Sequence, residues 1–536
     1  MKKGKLLKRG LASLLAAVLA VGLLPMMPGN MATVKAADGD KTIAGLGTGV
    51  IADPTAPTET TNAWQGSYVY FGTYNGSPVK YRVLDSETSV FGGTTMLLDC
   101  DSILWAGTNN DGQSSAFDAD SNVWADSDIR SYLNATFLTS NFSTAEQNAI
   151  ASSTKNATDN SDGVGLSYLN YAELNNDKIF FLDAKEATNT NYGYSNTDDT
   201  AANRVKTGGS AYWWLRSADT NYTHDAGFVY SDGSIISKYV INDYVGVSPA
   251  LNINLSSVLF SSVISGTAGT TGAEYKLTIL DDKMTIAGNG DVTRNGDTVT
   301  IPYTISGTNS GNATQVSVLI LDKAYTAGNT NGASVLAYEK LAVDSFSVTG
   351  TGTFTLPSDL SDKVCGTDYY AYIIAEDVNG EKETDYASTP ISITVPASIV
   401  NHTITATAGE NGSLSIRGSG AFSKFVGVKV DGTLVDAKNY TVKEGSTIVT
   451  LKADYLNTLS VGTHTFEILW TDGSASTTFT IKADFSDDGN NNRKDDVPKT
   501  GDDTSVAWLF ILFILSGTGL IITVKKRRVN LDSWKR

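Results

Sequence analysis

From about residue 270 to 482 the chain repeats a single pattern, short runs alternating apolar and polar residues and interrupted by Gly, Asn and Asp turns. Turn signals recurring about every 8 to 12 residues mark strands, because alternation of period 2 puts one face of a strand in a core and the other in water. A helix needs period 3.6, so this half of the chain is expected to form β-sandwiches. The pattern divides near Val400. The first part, 270–398, contains Val299–Ile305, Val316–Leu321 and Tyr369–Ile374. The second, 401–482, contains Phe425–Gly432, Tyr440–Val442, Gly445–Leu451 and Leu459–Phe466. Pro302 cannot donate to a ladder, which places its run at a sheet edge.

The stretch 64–262 has another texture, with five of the eight Trp residues and many polar loops. Tyr68–Tyr74 and Val79–Asp85 flank Asn75-Gly76, a hairpin signal. Met96–Asp99 reads as a strand. Ile129, Leu133 and Phe137 recur at helical spacing over Ser127–Phe137, and Ser143 with Glu146 forms a capping-box pattern that starts a second helix. An α+β head is therefore expected over 64–262, preceded by a flexible leader over 37–63.

Both ends carry export signals. Lys2, Lys3, Lys5, Lys8 and Arg9 precede the apolar run Leu11–Leu24, and the stretch closes on Val34-Lys35-Ala36. This is a signal-peptide pattern over 1–36, with signal peptidase cutting after Ala36. Near the other end, Val506–Val524 runs without a charge and is followed by Lys525-Lys526-Arg527-Arg528. At 1.5 Å per residue that run spans about 28 Å as a transmembrane helix, with the basic cluster holding the tail inside.

Val497-Pro498-Lys499-Thr500-Gly501 lies just before this span. Together the three parts of 497–536 resemble the LPxTG cell-wall sorting signal of Gram-positive surface proteins, with Val497 in place of the usual Leu. The resemblance implies that a sortase, with a Cys thiolate as nucleophile, cuts between Thr500 and Gly501 and passes the acyl group to an amine of the peptidoglycan precursor. Residues 483–496, rich in Asn and Asp, read as a wall-spanning spacer. The protein is thus expected to be secreted and wall-anchored, touching the membrane only before sorting.

The charge balance fits an extracellular object. The whole chain has 40 Lys and Arg against 57 Asp and Glu, a net charge of -17. Positions 37–500 alone hold 28 basic against 54 acidic residues, or -26. Such a surface excludes nucleic acid as a partner. Two Cys and three His leave no disulfide framework and little material for a metal centre, so no metal site is assigned and no cofactor is expected.

Resemblances refine this outline. Asp128-Ile129-Arg130, Leu133-Asn134, Tyr212-Trp213-Trp214-Leu215-Arg216-Ser217 and Val245-Gly246-Val247-Ser248-Pro249-Ala250-Leu251 form a series similar to an uncharacterised Firmicutes surface-domain family of WLRSP/GVRPAL type. More distantly it resembles the formylglycine-generating-enzyme and C-type-lectin fold. Ala218 stands where Pro is usual and Ser248 where Arg is usual, so an acid paired with that Arg would need another donor here. Residues 270–398 look like an immunoglobulin-like sandwich, and 401–482 resemble the small immunoglobulin-like X modules of bacterial extracellular enzymes. The fold class is therefore a C-type-lectin-like α+β head followed by two all-β immunoglobulin-like sandwiches.

The head is where a specific activity is expected. Trp213, Trp214, Tyr212 and Tyr222 could form an aromatic platform for a glycan or protein ligand, with Arg216 as a polar contact or as an anchor for Asp225 or Asp232. An ordinary strand would instead bury one Trp and leave the other partly exposed. A second reading is an extracellular hydrolase using paired carboxylates from Asp99, Asp101, Asp118, Asp120, Asp126 and Asp128. A third is a structural wall component. Oxygen-rich loops and the Asn242-Asp243 pair admit Ca²⁺. Cys100 with His224 would make a nucleophile pair, although Cys100 also reads as a small buried hydrophobe.

Overall fold

The computed structural model describes residues 41–43, 55–57, 60–156, 166–399, 404–407 and 412–482. The expected signal peptide, spacer, sorting motif and 506–524 span lie outside the described residues, as does Phe485–Arg536 as a whole. The described chain is mostly β-strand with few, short helices. Among the described residues no helix is long and apolar enough to cross a membrane.

In the head, Tyr68–Tyr74 and Ser77–Thr88 pair antiparallel. Asn75 and Gly76 both take positive φ, 50° and 73°, as a two-residue hairpin turn requires. Thr95–Cys100, Ala250–Asn254 and Ile179–Phe180 extend the sheet. Against it lies one helical stretch built from Asp128–Tyr132, a wider turn at Leu133–Phe137, and Leu138–Asn141. Ile129, Leu133 and Phe137 are all buried, as their spacing predicts. Ser127 caps the start by accepting from the Arg130 amide, and the capping box of Ser143 and Glu146 opens Thr144–Ala149.

The sheet does not stop at the expected boundary near 262. Val258–Ser265 turns back into Glu274–Leu280, whose Tyr275, Leu277 and Ile279 belong to the head's core. On its other edge Glu274–Leu280 runs parallel to Tyr68–Tyr74 in one half and to Asp385–Ala387 in the other. One thirteen-stranded sheet therefore continues from the head into the following module. Gln315–Leu321 is buried at every position for the same reason. Val318 and Ile320 face the module's own core, while Leu319 and Leu321 join Leu259 and Phe260 in a separate junction core. A polar clasp completes the joint. Glu146 Oε1 accepts from Thr384 Oγ1 at 2.6 Å and from the Gly72 amide at 3.1 Å, and Lys276 pairs with Asp385 at 2.8 Å.

The other face of that module is a four-stranded sheet centred on Thr298–Ser306, which pairs with Thr349–Thr355 on one side and with Thr285–Gly288 and Thr293–Asn295 on the other. The Pro302 strand is central, which corrects the edge assignment. Its carbonyl accepts from the Asn289 amide at 3.0 Å, so the side lacking an N–H faces the gap between the two short partner strands. The last module sets a five-stranded sheet against a three-stranded one. Val428, Phe466 and Ile468 from the first meet Ile416, Val449 and Leu451 from the second in one core. His464 Nδ1 lies 2.7 Å from Asp431 Oδ2 and Nε2 lies 2.7 Å from the Ser460 carbonyl.

Candidate functional site

Three strands, Trp213–Ala218, Asp225–Val229 and Ile235–Tyr239, form a small antiparallel sheet in the head. Trp214 lies opposite Phe228, and Phe228 opposite Ile236, so these share one face. Trp214 and Phe228 are buried, with ring centroids 6.2 Å apart. Tyr212 and Tyr230 continue that face past the covered region, each 6.2 Å from Phe228 and 4.8 Å from each other. Tyr244 comes in from the following loop, 5.9 Å from Tyr212. Tyr230 is 40% exposed, Tyr244 44% and Ile236, opposite Phe228, 42%, which makes the surface a tyrosine shelf with an aliphatic neighbour.

Local backbone bonds hold the shelf. The Ser231-Asp232-Gly233 turn closes through Tyr230 N to Ser234 O at 2.8 Å. Gly233 has φ +84°, and a Cβ there would sit 1.9 Å from the Ala201 carbonyl, so the turn lies flat on the neighbouring loop. Arg204 fixes it from below, donating from Nε to the Gly233 carbonyl at 2.7 Å. Gly246 does the same for the other two rings. Its amide bonds the Tyr212 carbonyl at 2.8 Å, and a Cβ would sit 2.2 Å from Ile103 Cγ2. Ser210 Oγ donates to the Tyr244 carbonyl and accepts from the Tyr212 amide.

The polar groups around the rings are largely occupied. The Tyr212 hydroxyl raises the Tyr230 phenol above its ordinary value, and contact with Tyr244 raises the Lys238 ammonium. Hydrogen bonds from Ser234 hold the Asp232 carboxyl below the usual range. Burial, then the Asp219 charge, pushes Asp225 up.

The residues singled out in the sequence fall elsewhere. Trp213 and Trp214 are both fully buried, so neither offers a face for a ligand to stack on. Trp213 Nε1 donates to the Arg204 carbonyl and Trp214 Nε1 to the Ser115 carbonyl, and the strand is covered on both sides. Arg216 is also fully buried. Its Nη1 and Nη2 bind Glu186 at 2.5 and 2.7 Å, and Nη2 binds Asp183 at 2.9 Å, in place of Asp225 or Asp232. Burial alone would raise Glu186, but Arg216 and Lys155 overcome it and hold the carboxyl at about 2. Of the aromatic set only Tyr212 and Tyr222 are accessible, and Tyr230, Tyr239 and Tyr244 were not foreseen.

Residues 92–255 match a family model described as a domain of unknown function (DUF6273), a stretch that includes the shelf. None of the curated proteins compared with the chain matches it. Solved structures similar to parts of it include a trimodular GH5_4 subfamily endoglucanase, 21% identical over 17% of this chain and 18% of that one, with a TM-score of 0.14. The chain thus spans less than a fifth of the endoglucanase's length. A tandem of titin Ig domains is 12% identical over 37% of this chain and 96% of its own, with a TM-score of 0.14. SGBP-B of a Bacteroides ovatus mixed-linkage glucan utilization locus, in complex with a heptasaccharide, is 16% identical over 44% and 57%, also at 0.14. Scores this low carry no inference about this chain.

Three of the six acids considered for hydrolysis have other work. Asp99 is buried against Lys206 at 2.7 Å and accepts from the Tyr194 hydroxyl at 2.6 Å. Lys206 also donates to Ser248 Oγ at 2.9 Å, so a lysine from another loop bridges the acid and Ser248. Asp101 pairs with Arg82 at 2.8 Å. Asp118 accepts from the amides of Asp120, Ser121 and Asp128, while Asp120, Asp126 and Asp128 are exposed. Burial drives the Cys100 thiol up to about 11, which leaves it a thiol, and His224 sits at the surface against the Asp120 carbonyl. Asn242 Nδ2 donates to the Tyr239 carbonyl, and the Asp243 carbonyl accepts from Gly107 N and Ser115 Oγ. Among the described residues no group of three or more His, Cys, Asp and Glu side chains is placed to hold a metal ion.

Proposed function

We propose that the protein is a secreted, sortase-anchored surface protein whose head recognises an external glycan or protein on the tyrosine shelf. The observation that carries the binding half is the pair of exposed rings Tyr230 and Tyr244 on either side of the half-buried Tyr212, because large amphipathic rings left in water beside a sheet lie where interfaces concentrate binding energy. The head is read as C-type-lectin-like and the two following modules as immunoglobulin-like, with the last standing between head and wall. Anchoring rests on the ordered motif, span and basic tail of residues 497–536.

Each half has its own test. Thr500→Ala should shift the protein from the peptidoglycan fraction to the membrane and medium, and a variant retained on the wall like the parent would refute sortase anchoring. For binding, chain 37–500 is applied to arrays of glycans and extracellular proteins alongside Tyr230→Ser. Loss of a hit in the variant is expected. Arrays with no hit would leave a structural wall component.

A further inference from the structure

We infer that the shelf takes a basic protein segment, one presenting Lys or Arg beside an apolar side chain; this rests on the reading of the shelf as a recognition surface. Geometry comes first. A sugar ring stacks on a flat exposed ring face while nearby polar side chains hydrogen-bond its hydroxyls. Here the three rings are tilted, Tyr212 by 46° to Tyr230 and by 76° to Tyr244, so together they offer edges and corners instead of a plane. The polar side chains are already committed. Asn242 Nδ2 serves the Tyr239 carbonyl at 2.7 Å, Asp232 accepts from Ser234 and Thr200, and Lys238 lies over the Tyr244 ring at 5.8 Å.

What remains free is apolar and negative. Ile236, 42% exposed and opposite Phe228, extends the shelf with a group that cannot hydrogen-bond a glycan but can pack against an aliphatic or aromatic side chain. Asp243, next to Tyr244, is exposed, and Asp225 lies within electrostatic reach of Lys238. Asp225 thus stands near the Lys238 ammonium, while Asp232 follows Tyr230 by two residues and the exposed Asp243 directly precedes Tyr244. The rest of residues 37–500, at 28 basic against 54 acidic, adds to the same field. Tyrosine faces beside carboxylates attract guanidinium and ammonium groups by cation–π contact and by charge, and the long-range field speeds their arrival.

The test uses chain 37–500 against a displayed library of random dodecapeptides and, in parallel, a glycan array. Enriched peptides should carry net positive charge with an apolar neighbour, and a synthetic copy should bind on the order of tenfold more weakly to Tyr230→Ser, the loss of one interface anchor. Asp243→Lys should weaken it too, as should raised salt. That variant alters only an exposed side chain, so it keeps the test sound if Tyr230→Ser misfolds by circular dichroism. Enrichment of neutral or acidic peptides, or indifference to both salt and Asp243→Lys, would overturn the inference. Glycan hits lost in Tyr230→Ser, with no peptide enriched, would overturn it and leave shelf recognition standing. If neither probe is captured, both fall.

Discussion

Arg216 illustrates how a residue in a recognisable motif can be functional in appearance and structural in fact. Its guanidinium is fully buried between Glu186 and Asp183, with Lys155 on the far side of Glu186 at 3.0 Å. Removing one partner from such a network strands the rest, which costs about 3–5 kcal/mol. Arg216→Ala should therefore lower the urea midpoint of the head sharply, and a variant unfolding at the parental midpoint would refute the buried-network account. His464 makes a pH-dependent case. Hydrogen bonds to Asp431 and to the Ser460 carbonyl raise it above 6.5, and the same contact lowers Asp431 below 3.8. The raised His contributes fully below 6.5 and is lost as pH climbs through its folded value; the lowered Asp contributes above 3.8 and is lost in acid. The stabilising effect of the pair is therefore greatest between those values. Melting of the parent against Asp431→Asn should show an advantage near pH 5 that shrinks toward pH 9, and a gap constant with pH would exclude the ion pair.

At the scale of elements, legibility followed how local the determining physics is. Asn75-Gly76 fixes its own turn through positive φ, and Ser143 and Glu146 satisfy each other's backbone amides, so both were readable from a few letters. The Trp213–Ala218 strand was not, because its alternation says nothing about a second layer. Loops carrying Lys206 and Phe117 cover both faces, Lys206 Nζ 3.8 Å from the Trp213 ring and Phe117 5.7 Å from Trp214, and both indoles vanish from the surface. The shelf tyrosines were missed for the converse reason. Tyr230 and Tyr244 lie just outside strands, where periodicity gives no orientation. Pro302 shows the limit of a rule about residue type, since a central strand tolerates it when its missing N–H faces a gap between partners. Because that site already suits proline, Pro302→Ala should lose about 0.4–1 kcal/mol through the unfolded chain alone. A gain in stability on chemical denaturation would mean that the proline strains the sheet.

On the scale of the whole molecule, the sequence divides residues 37–500 at 262, 270 and 401 by texture, and three main cores do form. What texture could not convey is that one strand, Glu274–Leu280, ties the first of them to the next module. It buries Tyr275, Leu277 and Ile279 in the head while pairing with Asp385–Ala387 of the next module. That joint has its own apolar core of Leu259, Phe260, Leu319 and Leu321, and Glu146 caps a helix and binds Thr384 at once. An interface made of continuous ladder and fully buried side chains behaves like a domain interior, in contrast to the small polar contacts between domains that swivel. The head should therefore present its shelf from a stiff base that includes the second module. In calorimetry of chain 37–500, residues 60–396 should unfold in one cooperative transition, and a fragment ending at 262 should fail to give the dispersed amide spectrum of a folded domain. Extending the fragment to 396 restores the missing strand and should restore the spectrum. Thr384→Val, which removes a donor to a buried carboxylate, should lower the shared transition by about 1.5–3 kcal/mol without splitting it. Separate transitions for head and module, or a well-folded 64–262 fragment, would show that the shared strand does not couple them.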